Sequence, residues 1–261
     1  MSTRSDRYVA RHASGWGPVS IPSIEGGVLS SELRAALVGF ACIEAYAIAE
    51  SRKVEAIGLD REFDVQEFLP SWLGEELQHA RFIMSLVEGD QCVSMDEVPP
   101  TASEWRAEER KYRMLVRPFA QLTDVVRLVY LVTGATAELT AAIAYREIAR
   151  QLPAGGAREG LMAIAKQETS HMRFYVGAAR TTIQRMSRVE RSLANATIRR
   201  TWQPVGIDRL GMDDWKMRFG FLLSDPAFVM KLRGVDRLFS TFFSGKERIA
   251  LASEFLEDNA A

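Results

Sequence analysis

The sequence predicts an all-α protein, a four-helix bundle with a crossover connection and extra C-terminal helices. Three observations predict it. Apolar residues recur at three- and four-residue steps through four long runs, near 30–56, 64–87, 118–152 and 157–186, the spacing of helices that bury one face. Two of the three histidines follow a glutamate by three residues inside these runs, in Glu76-Leu77-Gln78-His79 and Glu168-Thr169-Ser170-His171. The link from Glu88 to Arg117 is too long for the short turns of an up-down-up-down bundle and calls for a crossover.

The elements follow in order. Residues 1–28 are rich in Gly, Ser and Pro, as in Ser14-Gly15-Trp16-Gly17-Pro18, and read as an arm on the core, with Trp16 as its anchor and no role for His12. Helix one starts near Ser30, has Glu32 in its first turn and ends around Gly58. Asp64 and Glu67 are spaced like a capping box for helix two, and Pro70 bends that helix or resets its start before it ends near Val87. Within the crossover, residues 103–116 read as a short charged helix bounded by Pro99-Pro100 and Pro118. Helices three and four are separated by Pro153-Ala154-Gly155-Gly156, a run of breakers that makes them antiparallel neighbours.

Beyond Met186, Ser187 and Glu190 form another capping box, and the helix they open stops before Pro204. The tail, with Trp215, Phe219, Phe221, Phe239, Phe242 and Phe243, is too apolar for disorder and reads as further helices, without strands. The expected organisation is one domain over 29–261, with a core at 30–186 and a helical extension at 187–261.

Composition narrows the function. With 47% hydrophobic and 26% charged residues, the chain has the balance of a soluble globular protein. No run approaches the ~20 uninterrupted apolar residues of a membrane span, and no signal-peptide pattern opens the chain. The cytoplasm is the expected location. Cys42 and Cys92 are too few for a disulfide framework and lack metal-binding spacing. A net charge of −1 excludes a globally basic nucleic-acid binder. Residues 180–250, however, hold 14 Lys and Arg against 7 acidic residues, densest at Arg185, Arg188, Arg191, Arg199 and Arg200, so they offer a dock for an acidic partner or carrier.

The chemistry lies in the paired motifs. Helical residues three apart emerge side by side, so each Glu-x-x-His can place a carboxylate and an imidazole on one cation. With 22 Glu in 261 residues, finding both histidines so preceded by chance is improbable. A four-helix dimetal site needs one further inward Glu from each of the other two helices. In helix one, Glu44 shares its face with Leu33, Leu37, Phe40, Ala41, Ala47 and Ile48, whereas Glu50 is turned about 120° away. In helix three, Glu138 shares its face with Leu131, Gly134, Ala135, Ala141, Ala142 and Tyr145. Glu147 lies on the opposite side beside Arg146 and Arg150, a solvated setting.

The spacing repeats: 32 residues separate Glu44 from Glu76, and 30 separate Glu138 from Glu168. Four carboxylates on apolar stripes need compensation, because burying even one unpaired charge costs several kcal/mol. Two divalent cations balance them, and oxygen with imidazole suits iron or manganese.

The pattern Glu44, Glu76-x-x-His79, Glu138, Glu168-x-x-His171 resembles the ferritin-like di-iron carboxylate superfamily. The stretches Trp72-Leu-Gly-Glu-Glu-Leu-Gln-His79 and Gln167-Glu-Thr-Ser-His-Met-Arg-Phe-Tyr175 are most similar to the soluble acyl-carrier-protein desaturases, over about residues 30–180. The resemblance implies two Fe ions, with Mn as the other candidate. Glu44, Glu76 and His79 would hold mainly one and Glu138, Glu168 and His171 the other. It also implies O₂-dependent attack on an unactivated carbon of an acyl or carrier-tethered substrate, a ferredoxin-like electron donor, and acyl carrier protein docking on the basic 180–250 region. A homodimer is expected, with no nucleic acid and no membrane as partner.

Those desaturases place a threonine one turn after the third-helix Glu. Here that position is Ala141, and the nearest hydroxyl, Thr140, is the candidate for its role. Related scaffolds hydroxylate carbon or oxidise amines, so a tailoring hydroxylase or N-oxygenase is the alternative enzyme. A ferroxidase, iron store or manganese catalase is the alternative of another class.

Overall fold

The computed structural model describes residues 29–56, 63–88, 123–243 and 250–259, with Leu59 and Met114. The N-terminal arm with His12 and Trp16 lies outside the described residues. So does the expected helix at 103–116, apart from the helical Met114. Among the described residues all regular structure is helical and no strand occurs. The chain divides into two compact units, one drawn from Met1–Leu29 and Leu37–Gln121, the other from Ser30–Ala36 and Leu122–Ala261.

The first unit holds most of α1 (Ser31–Ala45), all of α2 (Ala47–Ala56) and α3 (Phe63–Glu88). The Ser30 hydroxyl accepts from the Leu33 amide at 3.2 Å and caps α1, in agreement with the start expected from sequence. The single helix expected to run on from there is instead two. At Tyr46 the bonding tightens from four-residue to three-residue steps, with Tyr46 N donating to Ile43 O at 3.1 Å and Ala49 N to Tyr46 O at 2.8 Å, which ends α1 and starts α2 in a new register. No Gly or Pro marks the break. Cys42 and Ala45 of α1 pack on Ala80 of α3, small side chains that permit close approach. The described part of α3 begins at Phe63, and one helix runs through Pro70.

The second unit is built on α4 (Thr123–Gln151) and α5 (Gly156–Arg185). Gly155, at φ 148°, occupies backbone space that other residues rarely enter and reverses the chain between them. Three contacts show that the two helices run antiparallel along their whole length. Arg185 pairs with Asp124 at 3.3 Å, the Tyr175 ring lies against Gly134, and Arg146 bonds to Thr169. Leu128, Leu131, Tyr145 and Ile148 of α4 and Leu161 and Ile164 of α5 are all buried to 2% exposure or less. By length and composition alone, Asp124–Gln151 could cross a membrane, but 67% of its most apolar window is buried inside the protein.

Beyond α5 come α6 (Arg188–Thr201), α7 (Ile207–Leu210), α8 (Met212–Leu223), α9 (Pro226–Leu232), α10 (Gly234–Phe242) and α11 (Leu251–Asn259). The capping box read from sequence opens α6. Ser187 Oγ accepts from the Glu190 amide at 3.3 Å, and the Glu190 carboxylate accepts from the Ser187 amide at 2.7 Å. Three helices of the extension, α6, α9 and α10, pack on α4. Trp202, just past α6, donates its indole N–H to Thr136 Oγ1 of α4 at 3.1 Å and meets the Phe239 ring of α10 edge-on. The Asp236 carboxylate of α10 accepts from the Ala252 and Ser253 amides and so caps α11. Trp215, Phe219, Phe239 and Phe242 are buried, as their apolar character requires.

Candidate metal centre

Each unit gathers one acidic triad. In the first, Glu44 comes from the last turn of α1, and Glu76 and His79 come from adjacent turns of α3. His79 Nδ1 stands 3.8 Å from Glu44 Oε2 and 3.5 Å from Glu76 Oε2. In the second, Glu138 comes from the middle of α4, and Glu168 and His171 from α5. There His171 Nδ1 stands 3.7 Å from Glu138 Oε2 and 3.1 Å from Glu168 Oε2. All six side chains are buried: Glu44, Glu76 and His79 are 5%, 4% and 1% exposed, and Glu138, Glu168 and His171 are 8%, 1% and 3%.

The local reason is the helical repeat. Three residues bring the second group round beside the first, and the flanking Trp72, Ala80 and Ile83 in α3, or Leu161, Ala165 and Tyr175 in α5, fix which face turns inward.

The geometry fits a cation. Within each triad the candidate ligand atoms lie no more than 4.8 Å from one another. Around a first-row divalent ion with bonds of about 2.1 Å, neighbouring ligands sit roughly 3 Å apart, so carboxylate and imidazole atoms at 3.1–3.8 Å need only small movements to share one. Two carboxylates per triad, set in an apolar interior, repel each other and have lost most of their hydration, and a divalent cation cancels their charge. For Nδ1 to be the donor atom, each imidazole must be neutral with its proton on Nε2. The buried Glu and His groups can thus hold a metal ion.

Other residues singled out in the sequence stand apart from the triads. Glu50 pairs with Lys53 at 2.7 Å, as expected for a residue turned away from Glu44. Glu75 accepts weakly from Ser71 at 3.5 Å. Thr140 is about 200° around α4 from Glu138, and its hydroxyl donates to the Thr136 carbonyl at 2.8 Å.

Glu147 corrects the expectation of a solvated residue. It is buried, pairs with Lys231 of α9 at 2.8 Å and with Arg150 at 2.7 Å, and so ties the extension to α4. Arg146, expected in the same solvated setting, is half-buried. Its Nη2 donates to the Ala165 carbonyl at 3.1 Å and to Thr169 Oγ1 at 2.6 Å, gripping the turn that carries Glu168 and His171. No local sequence signal marks either residue, because the partners lie 84 and 23 positions away.

Comparison of the chain with protein-family models, with curated proteins and with solved structures found no match.

Proposed function

We propose that the chain is an O₂-dependent non-heme di-iron oxidoreductase that acts on an unactivated carbon of an organic substrate, an acyl group free or tethered to a carrier, within a four-helix bundle closed by a crossover. One observation carries the reading. Two buried Glu/Glu/His triads recur with the same chain order and nearly the same spacing, a duplication that suits a pair of like ions better than a single structural one. Bound iron in this ligand set supplies O₂ reduction and hydrogen removal from carbon.

The chain's own residues do the rest. Glu44, Glu76 and His79 hold one ion, and Glu138, Glu168 and His171 the other. Four carboxylates neutralise two divalent cations, and the apolar side chains around them keep water from quenching oxidising chemistry. The extension from Ser187 onward supplies bulk for a substrate enclosure that simple iron handling does not need. The arginines from Arg185, at the end of α5, to Arg200 in α6 offer cations to an acidic carrier, and a ferredoxin-like protein is the proposed electron donor.

Two measurements test this. Purified protein is expected to hold close to two iron or manganese ions per chain, and Glu138→Ala to lose most of them; a variant with its full metal content refutes the ligand assignment. Anaerobically reduced protein is then exposed to O₂ with free or carrier-bound acyl groups and the products are weighed. Loss of two hydrogens identifies desaturation and gain of one oxygen identifies hydroxylation, whereas peroxide disproportionation with no organic product overturns the oxidase reading in favour of a catalase.

A further inference from the structure

The outer face of α5 carries a line of cations behind Glu168 and His171. We infer that this face is the docking surface for a small acidic protein that delivers electrons, centred on Lys166, Arg173 and Arg180. The inference deepens the oxidase reading above and rests on it, since it names where the reductant lands.

The pattern starts in the sequence. Lys166, Arg173 and Arg180 are seven residues apart, two helical turns, so they form one line with a drift of about 20° per step. At about 1.5 Å per residue the line is about 21 Å long. All three side chains are exposed, and Met162, 44% exposed, continues the stripe toward the start of the helix. Between Glu159 and Glu190 the only carboxylate is Glu168, which is buried. Arg150 and Arg185 are held by Glu147 and Asp124, whereas among the described residues none of the three cations in the line has a carboxylate partner. The face thus shows solvent one sign of charge, which draws in an anionic partner and speeds its arrival.

Position argues that this partner brings electrons. Glu168 and His171 lie between Lys166 and Arg173 along α5 and about 140–160° around it, so the ligands face the interior and the cations face solvent. Only the width of one helix, about 10 Å, separates the landing face from the ligands. Electron transfer weakens steeply with distance, so a donor must land close to the centre it reduces. Encounters between redox proteins are also small, in keeping with three cations and one apolar side chain. Arg173, the middle of the line, is about 18 Å along α5 from Arg185, where the cations offered to a carrier begin. The two partners therefore have separate landing places. One electron passes per encounter, from the donor's reduced cluster to oxidised metal, and no bond is made or broken.

The test uses the full-length protein, metal-free and iron-loaded, with an acidic two-iron, two-sulfur ferredoxin as the probe. Binding of the oxidised ferredoxin to both forms is read by titration calorimetry. Oxidation of the reduced ferredoxin by the ferric protein is followed anaerobically from its visible absorbance after rapid mixing. Reversal of the line, with Lys166→Glu, Arg173→Glu and Arg180→Glu combined, should lower affinity and second-order rate at least about tenfold at low salt. The gap should close toward 1 M salt, where charges are screened beyond about 3 Å. A charge-matched variant with Arg34→Glu, Lys216→Glu and Arg233→Glu should change neither by more than about twofold at about 0.1 M ionic strength. All six replaced side chains are exposed, so helicity and iron content should hold, and Arg173→Gln alone should give a smaller loss in the same direction.

If the wild type takes up iron but the reversed line docks and oxidises the ferredoxin as well as it does, or the charge-matched variant loses as much, the inference is overturned while the metal reading stands. A reversed line that loses an acyl carrier protein or a second copy of the chain, and not the ferredoxin, gives the face another occupant and overturns it too. Wild type that takes up no iron overturns the metal reading and the reductant's role with it.

Discussion

The helices that carry Glu44, Glu76 and His79 and those that carry Glu138, Glu168 and His171 present one ligand pattern on two unlike scaffolds. The first is made of interrupted pieces, with α1 and α2 separated at Tyr46 and a proline inside α3. The second is a pair of unbroken helices of 29 and 30 residues in contact from end to end. The difference teaches that the ligand pattern is set by local helical geometry, which both scaffolds supply, while the firmness of the site is set by what lies outside the pattern. Gly134, Tyr175, Arg146 and the docked extension lie outside the pattern and support the α4–α5 triad.

Removal of metal gives the largest way to break the comparison. A ligand present at about a thousand times its Kd stabilises a protein by about 4 kcal/mol, so chelation should lower the melting temperature markedly. Amide exchange in the metal-free protein should rise first in α1 and α3 around Glu44 and Glu76 and least in α4 and α5. Equal exchange in both regions would erase the contrast.

Next is Gly134→Ala, which forces the Tyr175 ring aside. A cost of about 1–3 kcal/mol is expected from overpacking, read as a lower urea midpoint with an unchanged slope. Pro70→Ala works in the opposite direction. Proline in a helix interior removes a backbone hydrogen bond and crowds the preceding turn, so this variant should gain roughly 1 kcal/mol and narrow the gap between the scaffolds; a loss would show that Pro70 supports its helix.

The smallest effect is in acid. Glu32, in the first turn of α1, is held below its ordinary pKa of 4.5 by its own backbone amide and then by Ser30 and Ser31. Glu190, at the start of α6, is held below the same value by the Ser187 backbone amide and then its hydroxyl. A carboxyl lowered on folding stabilises the protein above its unfolded pKa, and that contribution is lost as pH falls through the lower folded value. Glu32→Gln and Glu190→Gln should each melt slightly below wild type at about pH 6 and converge with it near about pH 3. A gap that persists in acid would assign the effect to shape and not to charge.

What was legible in the sequence was local. Glu76 with His79 and Glu168 with His171 are three apart, and the apolar stripes of α3 and α5 say which way they face. Ser187 with Glu190, and the breakers at 153–156, likewise act within a few residues of themselves. What was not legible depends on distant partners or on a choice the backbone makes without punctuation. Glu147 reads as solvated until Lys231 arrives from α9, and Arg146 until α5 folds back beside it. The break at Tyr46 falls in Glu-Ala-Tyr-Ala-Ile-Ala, where every residue suits a helix and only the hydrogen bonding shows the interruption.

The grip of the extension on α4 has one more consequence. Trp202 reaches Thr136, and Lys231 reaches Glu147, on a helix greasy enough by composition to pass for a bilayer segment. A shortened chain ending at Met186 would therefore bare the flank of α4 that α6, α9 and α10 cover and leave an apolar stripe facing water, prone to clump or to settle on lipid. The last 75 residues thus supply part of the shield that a helix of this composition needs in water.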